Sequence, residues 1–365
     1  MNIVKYVSLS LICIFLMSYA QIANAKTYAY IIGVDGKATK INADTNTIID
    51  TKDLPNSGGY VQSGKTSVVA DPINKHLFAV VGPKGSKVLV YNLSTLNLLK
   101  DLGIYTPEPD ITIFSTPDGR RVFVVWWNPK LEGGAWQFDV FDGITLEKLK
   151  TLDLYFYAKQ VTFSKDSSML YAIEGGDEAK IKVIDMATLK LISTIDLNTI
   201  WKTNGFAPGI EDYKDEKILI RETKTIAEGE LPEVTYFVYD LKNKTASTRI
   251  VTSFAGSTNI SPDGSKIFIH DEEPIESARG IVQYYKSSGH LYIYDVATGK
   301  KIGYVQFSVD KSSDILGIHP AGNKVYMIGN IQGTKSLIGM DIVNFKILKT
   351  LSISKNALFM VFYSE

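Results

Sequence analysis

The chain is almost free of cysteine: Cys13 is the single one among 365 residues. It lies in an N-terminal apolar segment that we expect to be removed on export, so the mature chain is expected to contain no thiol. Without cysteine, the folded protein would have no disulfide, no covalent c-type haem and no cysteine-derived cofactor. Its stability must therefore come from packing, and we expect it to carry no cofactor of its own.

An excess of charge of either sign is also missing, because 39 basic residues balance 39 acidic ones. No basic run interleaved with aromatic residues occurs, so nucleic acid is not an expected partner. The sequence has no Gly-x-Ser-x-Gly elbow, no glycine-rich phosphate loop and no His-Glu-x-x-His motif. These observations favour a protein without intrinsic catalytic activity.

Residues 1–25 have the three parts of a secretory signal peptide. Lys5 supplies the positive start, residues 7–17 form the apolar centre, and Ala23-Asn24-Ala25 forms a small-residue cleavage site. The apolar centre is too short to span a bilayer, and no later stretch reaches the roughly 20 apolar residues that a membrane helix needs. We therefore expect a periplasmic or secreted protein that begins at Lys26, with a retained membrane anchor as the alternative.

One short pattern recurs seven times: an alternating strand runs into Asp or Asn, and Thr or Asn follows three residues later. An Asp or Asn side chain at such a place accepts a backbone N–H two residues on and so forms its own turn. Four short strands in each repeat of about 50 residues indicate a seven-bladed β-propeller. The seven turns run from Asn42 to Thr45, Asn92 to Thr95, Asp142 to Thr145, Asp185 to Thr188, Asp240 to Asn243, Asp295 to Thr298 and Asp341 to Asn344.

The two ends of the repeat array complement each other. Most units begin with a turn such as Thr116-Pro117-Asp118-Gly119, which joins their first two strands, but the first unit starts directly with its second strand at residues 28–32. A surplus strand, residues 357–363, follows the last unit. The sequence therefore predicts an all-β domain over residues 26–365, a ring closed by pairing of the C-terminal strand into the first blade.

These turns resemble those of the secreted YVTN-type propeller repeat proteins, and the resemblance covers residues 26–365. The layout is also similar to that of the propeller subunit of quinoprotein and quinohaemoprotein amine dehydrogenases, whose middle blades carry insertions. The second resemblance implies a supporting subunit, with a cytochrome or a quinone-bearing subunit as partner. Both resemblances concern a scaffold and imply no chemistry of this chain's own residues.

Insertions between the second and third strands indicate where a partner would bind. They occur in the third, fifth and sixth units, over residues 128–135, 222–233 and 271–290. Family geometry places them on the face opposite the two kinds of turn, and insertions on a rigid scaffold commonly carry recognition. Neutral drift of solvated loops is the alternative.

The aromatic residues near these insertions supply the candidate contacts. Trp126 and Trp127 are neighbours in a strand and must point to opposite faces of the sheet. Trp136 is therefore expected to be the freest of the three tryptophans. From blade six we add Arg279, Tyr284, Tyr285 and His290 as partner contacts, because aromatic and Arg side chains are the usual anchors of an interface.

The sixth insertion also contains residue types that bind metals. His270, Asp271, Glu272 and His290 are the candidates, but their spacing matches no tight ligand motif and adjacent strand residues diverge. A solvated loop flanked by ordinary histidines is the better interpretation. The sequence thus favours a secreted propeller that binds a protein partner on its insertion-bearing face, with a non-catalytic dehydrogenase subunit as the alternative.

Overall fold

The structure is a computed structural model that describes residues 26–364 apart from several short segments. The described ranges are 26–59, 61–62, 67–82, 87–105, 111–128, 135–154, 158–174, 180–197, 209–214, 216–224, 233–252, 256–276, 282–307 and 314–364. The predicted signal segment and Arg279 lie outside them. No helix among the described residues is both long and apolar enough to cross a membrane.

The described residues form 29 strands in seven antiparallel sheets, which are the seven predicted blades. Blade 1 joins the two chain ends and consists of β29 (Ala357–Ser364), β1 (Thr27–Gly33), β2 (Lys37–Asn42) and β3 (Thr47–Asp53). Blade 2 consists of β4 (Val68–Asp71), β5 (His76–Val81), β6 (Lys87–Asn92) and β7 (Leu98–Ile104). Blade 3 consists of β8 (Thr112–Ser115), β9 (Arg121–Asn128), β10 (Ala135–Asp142) and β11 (Lys148–Leu154).

The remaining blades follow in chain order. Blade 4 consists of β12 (Ala158–Phe163), β13 (Met169–Glu174), β14 (Lys180–Asp185) and β15 (Lys190–Asp196). Blade 5 has a divided outer strand and consists of β16 (Gly209–Lys214), β17 (Lys217–Lys224), β18 (Glu233–Asp240), β19 (Thr245–Ala246) and β20 (Ile250–Thr252). Blade 6 consists of β21 (Thr258–Ile260), β22 (Lys266–Glu276), β23 (Val282–Asp295) and β24 (Lys301–Gln306). Blade 7 consists of β25 (Asp314–Ile318), β26 (Lys324–Ile331), β27 (Thr334–Asp341) and β28 (Lys346–Ser352).

The predicted ring closure is confirmed. β29 pairs antiparallel with β1 from Thr27↔Ser364 to Gly33↔Ala357, and it also contacts β4 and β25, the inner strands of the neighbouring blades. The rings of Tyr30 and Tyr363 stack across this pair, with centroids 5.6 Å apart. The C-terminal strand is thus the innermost strand of blade 1 and holds the two ends of the chain together.

Seven apolar clusters hold consecutive blades together, one at each of the seven junctions. Each cluster contains one large side chain from a blade's second strand, at the same register position in every blade. This side chain packs on the turn region of the next blade. In two blades this side chain also donates a hydrogen bond, from Tyr30 to the Ser94 carbonyl at 3.2 Å and from Tyr326 to the Ala43 carbonyl at 2.8 Å. The seven residues are Tyr30, Phe78, Phe123, Tyr171, Leu219, Phe268 and Tyr326.

In all seven recurring turns the Asp or Asn side chain accepts the backbone N–H three residues on. In blades 1, 2, 3 and 7 it also accepts the N–H two residues on, as predicted. In blade 3, Asp142 Oδ1 accepts the N–H groups of Ile144 and Thr145 at 3.0 and 2.7 Å and the Thr145 hydroxyl at 3.1 Å. The next residue, Leu146, has a φ of 58°, in the left-handed region that non-glycine residues rarely adopt. The corresponding acceptors in the other blades are Asn42, Asn92, Asp185, Asp240, Asp295 and Asp341.

We predict that Asp142→Ala lowers the free energy of unfolding by about 1 kcal/mol, because three donors lose their acceptor. Asp142→Asn should have a much smaller effect, since an amide oxygen at Asn42 and Asn92 already performs the same role. Urea denaturation of the two variants checks this. Equal destabilisation by both would show that the carboxylate charge, and not the acceptor geometry, stabilises the turn.

The turns between first and second strands contain a second acceptor. Hydrogen bonds from the hydroxyls of Ser164 and Ser168, with one from the Ser168 N–H, lower the pKa of Asp166 to about 2. A carboxylate whose pKa falls on folding stabilises the native state above its unfolded pKa of about 4, and this contribution is lost as the pH falls through about 2. We predict that Asp166→Asn reduces the loss of stability between pH 5 and pH 2, measured as the urea midpoint at each pH. An unchanged pH profile would contradict this assignment.

Candidate functional site

Two kinds of turn meet on one face of the propeller, as predicted. In six blades a backbone N–H just after the Asp or Asn donates to a carbonyl of the turn between the first two strands, as from Gly143 to Arg120 at 2.8 Å. The same bond joins Leu93 to Lys75, Met186 to Ser168, Leu241 to Glu216, Val296 to Ser265 and Ile342 to Asn323. The connections between second and third strands therefore lie on the opposite face, which we call the hairpin face.

Among the described residues, blade 6 departs most from the regular repeat on the hairpin face. Its β22 and β23 have 11 and 14 residues, whereas the second and third strands of the other blades have six to eight. Their pairing continues from His270↔Leu291 through Glu273↔Lys286 to Glu276↔Val282. The expectation of a solvated loop is wrong here, because the two halves of the insertion pair with each other. We call residues 271–276 and 282–289 the blade-6 ribbon.

A buried carboxylate fastens the base of this ribbon. Asp271 is only 5% exposed, and its Oδ1 accepts the His290 N–H at 3.2 Å. The second carboxylate oxygen lies 3.7 Å from His290 Nδ1. A bulge in the register between His270 and Glu272 turns Asp271 out of the regular pairing. Asp271 and His290, which are 19 residues apart in sequence, thus lock the two strands where the ribbon leaves the blade.

On the outer side of the base, a glycine allows a close backbone approach. Gly289 has a φ of 78°, and its carbonyl accepts the Phe307 N–H at 2.8 Å. A Cβ atom at Gly289 would lie 2.1 Å from the Phe307 carbonyl oxygen, so no larger residue fits without a shift of the backbone. This bond joins the outer edge of blade 6 to the base of the ribbon.

His270 is part of the core beneath the ribbon. It is fully buried, and its ring centroid lies 5.7 Å from that of Phe307. Burial lowers the pKa of His270 to about 4, against the opposing effect of the Asp271 charge. The imidazole is therefore neutral at neutral pH, and its geometry is that of a packing residue.

The candidate metal ligands are only partly brought together. Asp271 and His290 are adjacent, His270 faces the core, and the side chain of Glu272 lies outside the description. Among the described residues, no group of three His, Cys, Asp or Glu side chains is arranged to hold a metal ion. The contact of Asp271 with His290 joins two strands and does not by itself form a binding site.

An aromatic strip on blade 6 adjoins the ribbon and was missed by sequence reasoning. His290 stacks on Tyr292 with centroids 5.7 Å apart, and Tyr292 pairs across the sheet with Tyr304. Tyr304 is 49% exposed, and Lys301 Nζ lies 4.9 Å from the centroid of the Tyr292 ring. Aromatic rings with one open side are common contact residues in protein interfaces.

Comparison of the blades shows that this strip is particular to blade 6. At the register position of the pair Tyr292↔Tyr304, the other regular blades carry at least one small polar residue. The corresponding pairs are Thr39↔Thr51, Leu89↔Asp101, Asp139↔Thr151, Lys182↔Thr194 and Ile338↔Thr350. Aligning the repeats by their turn residues would have singled out Tyr304 from sequence alone.

The three tryptophans of blade 3 are less available than expected. Trp126 and Trp127 pack against different clusters, which confirms that they point to opposite faces. Trp136 belongs to the same cluster as Trp127 and is only 7% exposed, whereas Trp126 and Trp127 are only partly buried. The expectation that Trp136 is the freest of the three is therefore wrong, because its ring fills the junction between blades 3 and 4.

The remaining candidates lie on the ribbon. Tyr284 pairs with Ile275 and Tyr285 with Pro274, so both tyrosines belong to β23 and not to a loop. Their side chains and all of Arg279 lie outside the description. The structure thus brings Tyr284, Tyr285 and His290 together on one strand of blade 6 and separates them from Trp136 in blade 3.

Blade 5 contains an ion pair that sequence reasoning also missed. Its divided outer strand bulges at Ser247–Arg249, and Arg249 Nη1 lies 2.5 Å from Glu222 Oε2. Glu222 is 9% exposed, and the Arg249 guanidinium lies 4.8 Å above the Phe237 ring. Since a charge buried to this extent needs a partner, the pair explains why the outer strand departs from the regular repeat.

Comparisons with known proteins identify the fold and nothing narrower. No family model matches the chain, and no curated protein sequence matches it. Solved structures with a similar fold include hydrazine synthase of Kuenenia stuttgartiensis, at 14% identity and a TM-score of 0.54, covering 81% of this chain and 89% of that one. The dihydro-heme d1 dehydrogenase NirN matches at 14% identity and a TM-score of 0.56, covering 93% and 74% of the two chains. The WD40 domain of Neurospora crassa Pan2 matches at 12% identity and a TM-score of 0.56, covering 90% and 87%.

Proposed function

We propose that this chain is an exported propeller scaffold that captures a protein partner on its hairpin face, through the blade-6 ribbon and the adjoining aromatic strip. The observation that carries the proposal is the asymmetry of the two faces. One face repeats the same tight turns around the ring, and the other bears a ribbon locked at its base by Asp271 and His290. A rigidly held projection on an otherwise regular scaffold is suited to recognition.

Blade 6 also offers the side-chain chemistry of an interface. His290, Tyr292 and Tyr304 form a half-exposed aromatic surface beside Lys301. Rings bury much area with little loss of conformational entropy, which makes them frequent hot spots. We propose Tyr284, Tyr285, His290 and Arg279 as direct contacts, with Trp136 supporting the same face from inside the core.

A narrower form of the proposal makes the partner a redox protein. The resemblance to the amine dehydrogenase propeller subunit implies insertions in the middle blades, and the longest strand pair among the described residues lies in blade 6. In that case a cytochrome or a quinone-bearing subunit would bind the hairpin face and would carry the cofactors. Identification of the captured partner distinguishes this form from a general assembly scaffold.

Export is part of the proposal and rests on residues 1–25. Mass spectrometry of the protein from the native host should find Lys26 as the first residue. Retention of Met1 to Ala25 would favour a membrane anchor and would place the propeller at a membrane surface.

We predict that Tyr285→Ala weakens partner capture by about 1–3 kcal/mol, or roughly 5- to 150-fold, and leaves the melting temperature nearly unchanged. The measurement is quantitative mass spectrometry of proteins retained by the immobilised chain from periplasmic and membrane extracts. Ile144→Ser is the matched control, because Ile144 is 68% exposed on the opposite face. Loss of capture in the control with normal capture by Tyr285→Ala would place the partner on the turn face.

A further inference from the structure

Charge is distributed unevenly around the outer rim of the ring. We define the rim of a blade as the residues from its Asp or Asn turn to the end of its outer strand. The rims of blades 5–7 carry seven basic and three acidic residues, whereas those of blades 1–4 carry five basic and nine acidic ones. We call the first set the basic arc, residues 240–252, 295–306 and 341–352, and the second the acidic arc, residues 42–53, 92–104, 142–154 and 185–196.

The acidic residues of the basic arc serve their own turns. Asp295 Oδ1 accepts the N–H and the hydroxyl of Thr298 at 2.8 and 2.7 Å. Asp341 Oδ1 accepts the Asn344 N–H at 2.9 Å. The lysines of blades 6 and 7 are all exposed, and among the described residues no carboxylate lies within 4.0 Å of their ammonium groups. These lysines are Lys300, Lys301, Lys346 and Lys349.

Exposed apolar side chains stand between these lysines. On blade 7, Val343 and Ile347 are 67% and 42% exposed, and on blade 6, Ile302 is 45% exposed. Exposed aliphatic residues occur on both arcs, but the two exposed aromatic side chains of the described residues, Tyr304 and Phe345, lie on the basic arc. The basic arc thus combines cations with open aromatic and aliphatic groups.

A close backbone approach holds Phe345 in place. In blades 2 and 3 the equivalent turn residues, Leu96 and Leu146, have the same left-handed backbone and are buried in a blade junction. Phe345 lies instead across the outer strand of blade 6, where a Cβ atom on Gly303 would be 2.0 Å from the Phe345 ring. Glycine at this point leaves room for the ring. Phe345 therefore joins the rims of blades 6 and 7 and keeps one side open.

We propose that the basic arc docks the exported chain on an anionic lipid surface, with the lysines at the lipid phosphates and Phe345 and Ile347 in the headgroup layer. Lysines near an anionic membrane are attracted by its surface potential, and apolar side chains beside them enter the interface. The outer rim of a ring is convex, so an extended bilayer suits it better than a peptide, which binds in a groove or along a strand edge.

The acidic part of the blade-6 ribbon is too far along the blade to oppose this attraction. β24 runs from Lys301 at the turn end to Gln306, which pairs with His290 at the base of the ribbon. These five steps span about 17 Å at about 3.3 Å per residue. Exposed charges separated by more than about 8 Å are largely screened at physiological ionic strength. The basic arc therefore determines the charge that the lipid surface meets.

This inference goes beyond partner capture, and both rest on export of the chain. Phe345, Lys346 and Lys349 belong to blade 7 and are not among the proposed partner contacts, whereas Tyr304 belongs to both surfaces and is left unchanged in the tests. Pure lipid vesicles contain no protein. Failure of vesicle binding is therefore distinguishable from failure of partner capture.

Sedimentation of the purified chain, without residues 1–25, with lipid vesicles tests the charge. We expect binding to vesicles of phosphatidylglycerol and phosphatidylcholine in equal amounts, little binding to phosphatidylcholine alone, and weaker binding as the ionic strength rises. Lys346→Gln with Lys349→Gln should weaken binding about 20- to 30-fold, since each lysine near the surface contributes about fivefold. Lys150→Gln with Lys190→Gln on the acidic arc is the matched control and should bind like the native chain.

The apolar contribution is tested by Phe345→Ser, which should weaken binding to the same vesicles about tenfold. Ile192→Ser is its control, because Ile192 is 54% exposed on the outer strand of blade 4. Thermal unfolding followed by circular dichroism shows whether each variant is folded at the temperature of the assay. If Phe345→Ser is folded and binds like the native chain, the apolar side chains do not enter the lipid and the proposal is wrong.

An environment-sensitive dye locates the docked rim. In a Cys13→Ser background, the dye attached at Val343→Cys should brighten when anionic vesicles are added. Ile144→Cys is the matched control, because Ile144 has the same place in its turn on the acidic arc and is 68% exposed. Equal binding to both kinds of vesicle, or brightening at Ile144→Cys in place of Val343→Cys, would overturn the proposal. So would capture of an acidic protein through Lys346 and Lys349 by a chain that binds no vesicles.

Discussion

Truncation of the chain after Asn356, which removes β29, is expected to cost most of the stability of the propeller. β29 provides the innermost strand of blade 1 and contacts the blades on both sides, so its loss exposes an unpaired edge and opens two blade junctions. Buried Ala357, Phe359 and Tyr363 would lose their packing. We expect a loss of several kcal/mol, on the order of the 5–15 kcal/mol that stabilise a domain, together with aggregation. Urea denaturation and light scattering of the purified protein measure both effects.

The control for this prediction keeps the strand and changes one exposed residue in it. Leu358 is 40% exposed, so Leu358→Ala should leave stability nearly unchanged. Supplying a synthetic peptide of residues 357–365 to the truncated protein should restore part of the lost stability if the strand acts by pairing. A truncated protein that melts and remains soluble like the full chain would refute closure by β29.

Replacement of Trp136 by alanine is expected to lower the free energy of unfolding by about 3–5 kcal/mol, because the change leaves a large cavity in the junction between blades 3 and 4. The ring is 7% exposed and lies 5.8 Å from that of Trp127, measured between centroids. Trp136→Phe preserves much of the volume and should cost considerably less. Thermal unfolding followed by circular dichroism checks both variants.

The same variants decide how Trp136 relates to partner capture. At a temperature where Trp136→Ala remains folded, capture should fall no further than the loss of folded protein accounts for. A large loss of capture with native stability would show instead that the Trp136 ring touches the partner directly. In that case the candidate site would extend from blade 6 to blade 3.

The fold was predictable from the sequence because its determinants are local and repeated. Each Asp or Asn turn forms its own hydrogen bonds, as Asp142 does with Thr145, so the turn needs no distant contact to be recognised. The missing first strand and the surplus strand at residues 357–363 then predicted the pairing of β29 with β1 by simple counting. Because the same turn pattern occurs seven times, each turn predicted from sequence supports the prediction of the others.

The candidate site was harder to predict because it depends on contacts between distant residues. An acidic segment containing Pro274 reads as a loop, and the pairing with β23 becomes apparent only when residues 282–289 are placed opposite it. The burial of Trp136 depends on side chains of blade 4, such as Val161 and Met186, that no local pattern connects to it. The exposure of Tyr304 reflects its place on the outer strand, where a large ring cannot be covered by the neighbouring blade.

Capture by the ribbon-shortened variant tests the central claim most directly. The variant replaces residues 271–290 by the blade-4 connection, residues 174–180, and keeps the seven blades. It should melt nearly like the native chain, because no described side chain of the ribbon belongs to the apolar clusters at the two junctions of blade 6. Both proteins, immobilised in equal amounts, would be exposed to periplasmic and membrane extracts of the native host, and retained proteins quantified by mass spectrometry. We predict that the protein enriched by the native chain is absent from the shortened variant and present with the Ile144→Ser control. Equal enrichment by the native chain and the shortened variant would contradict the assignment of blade 6 as the binding site.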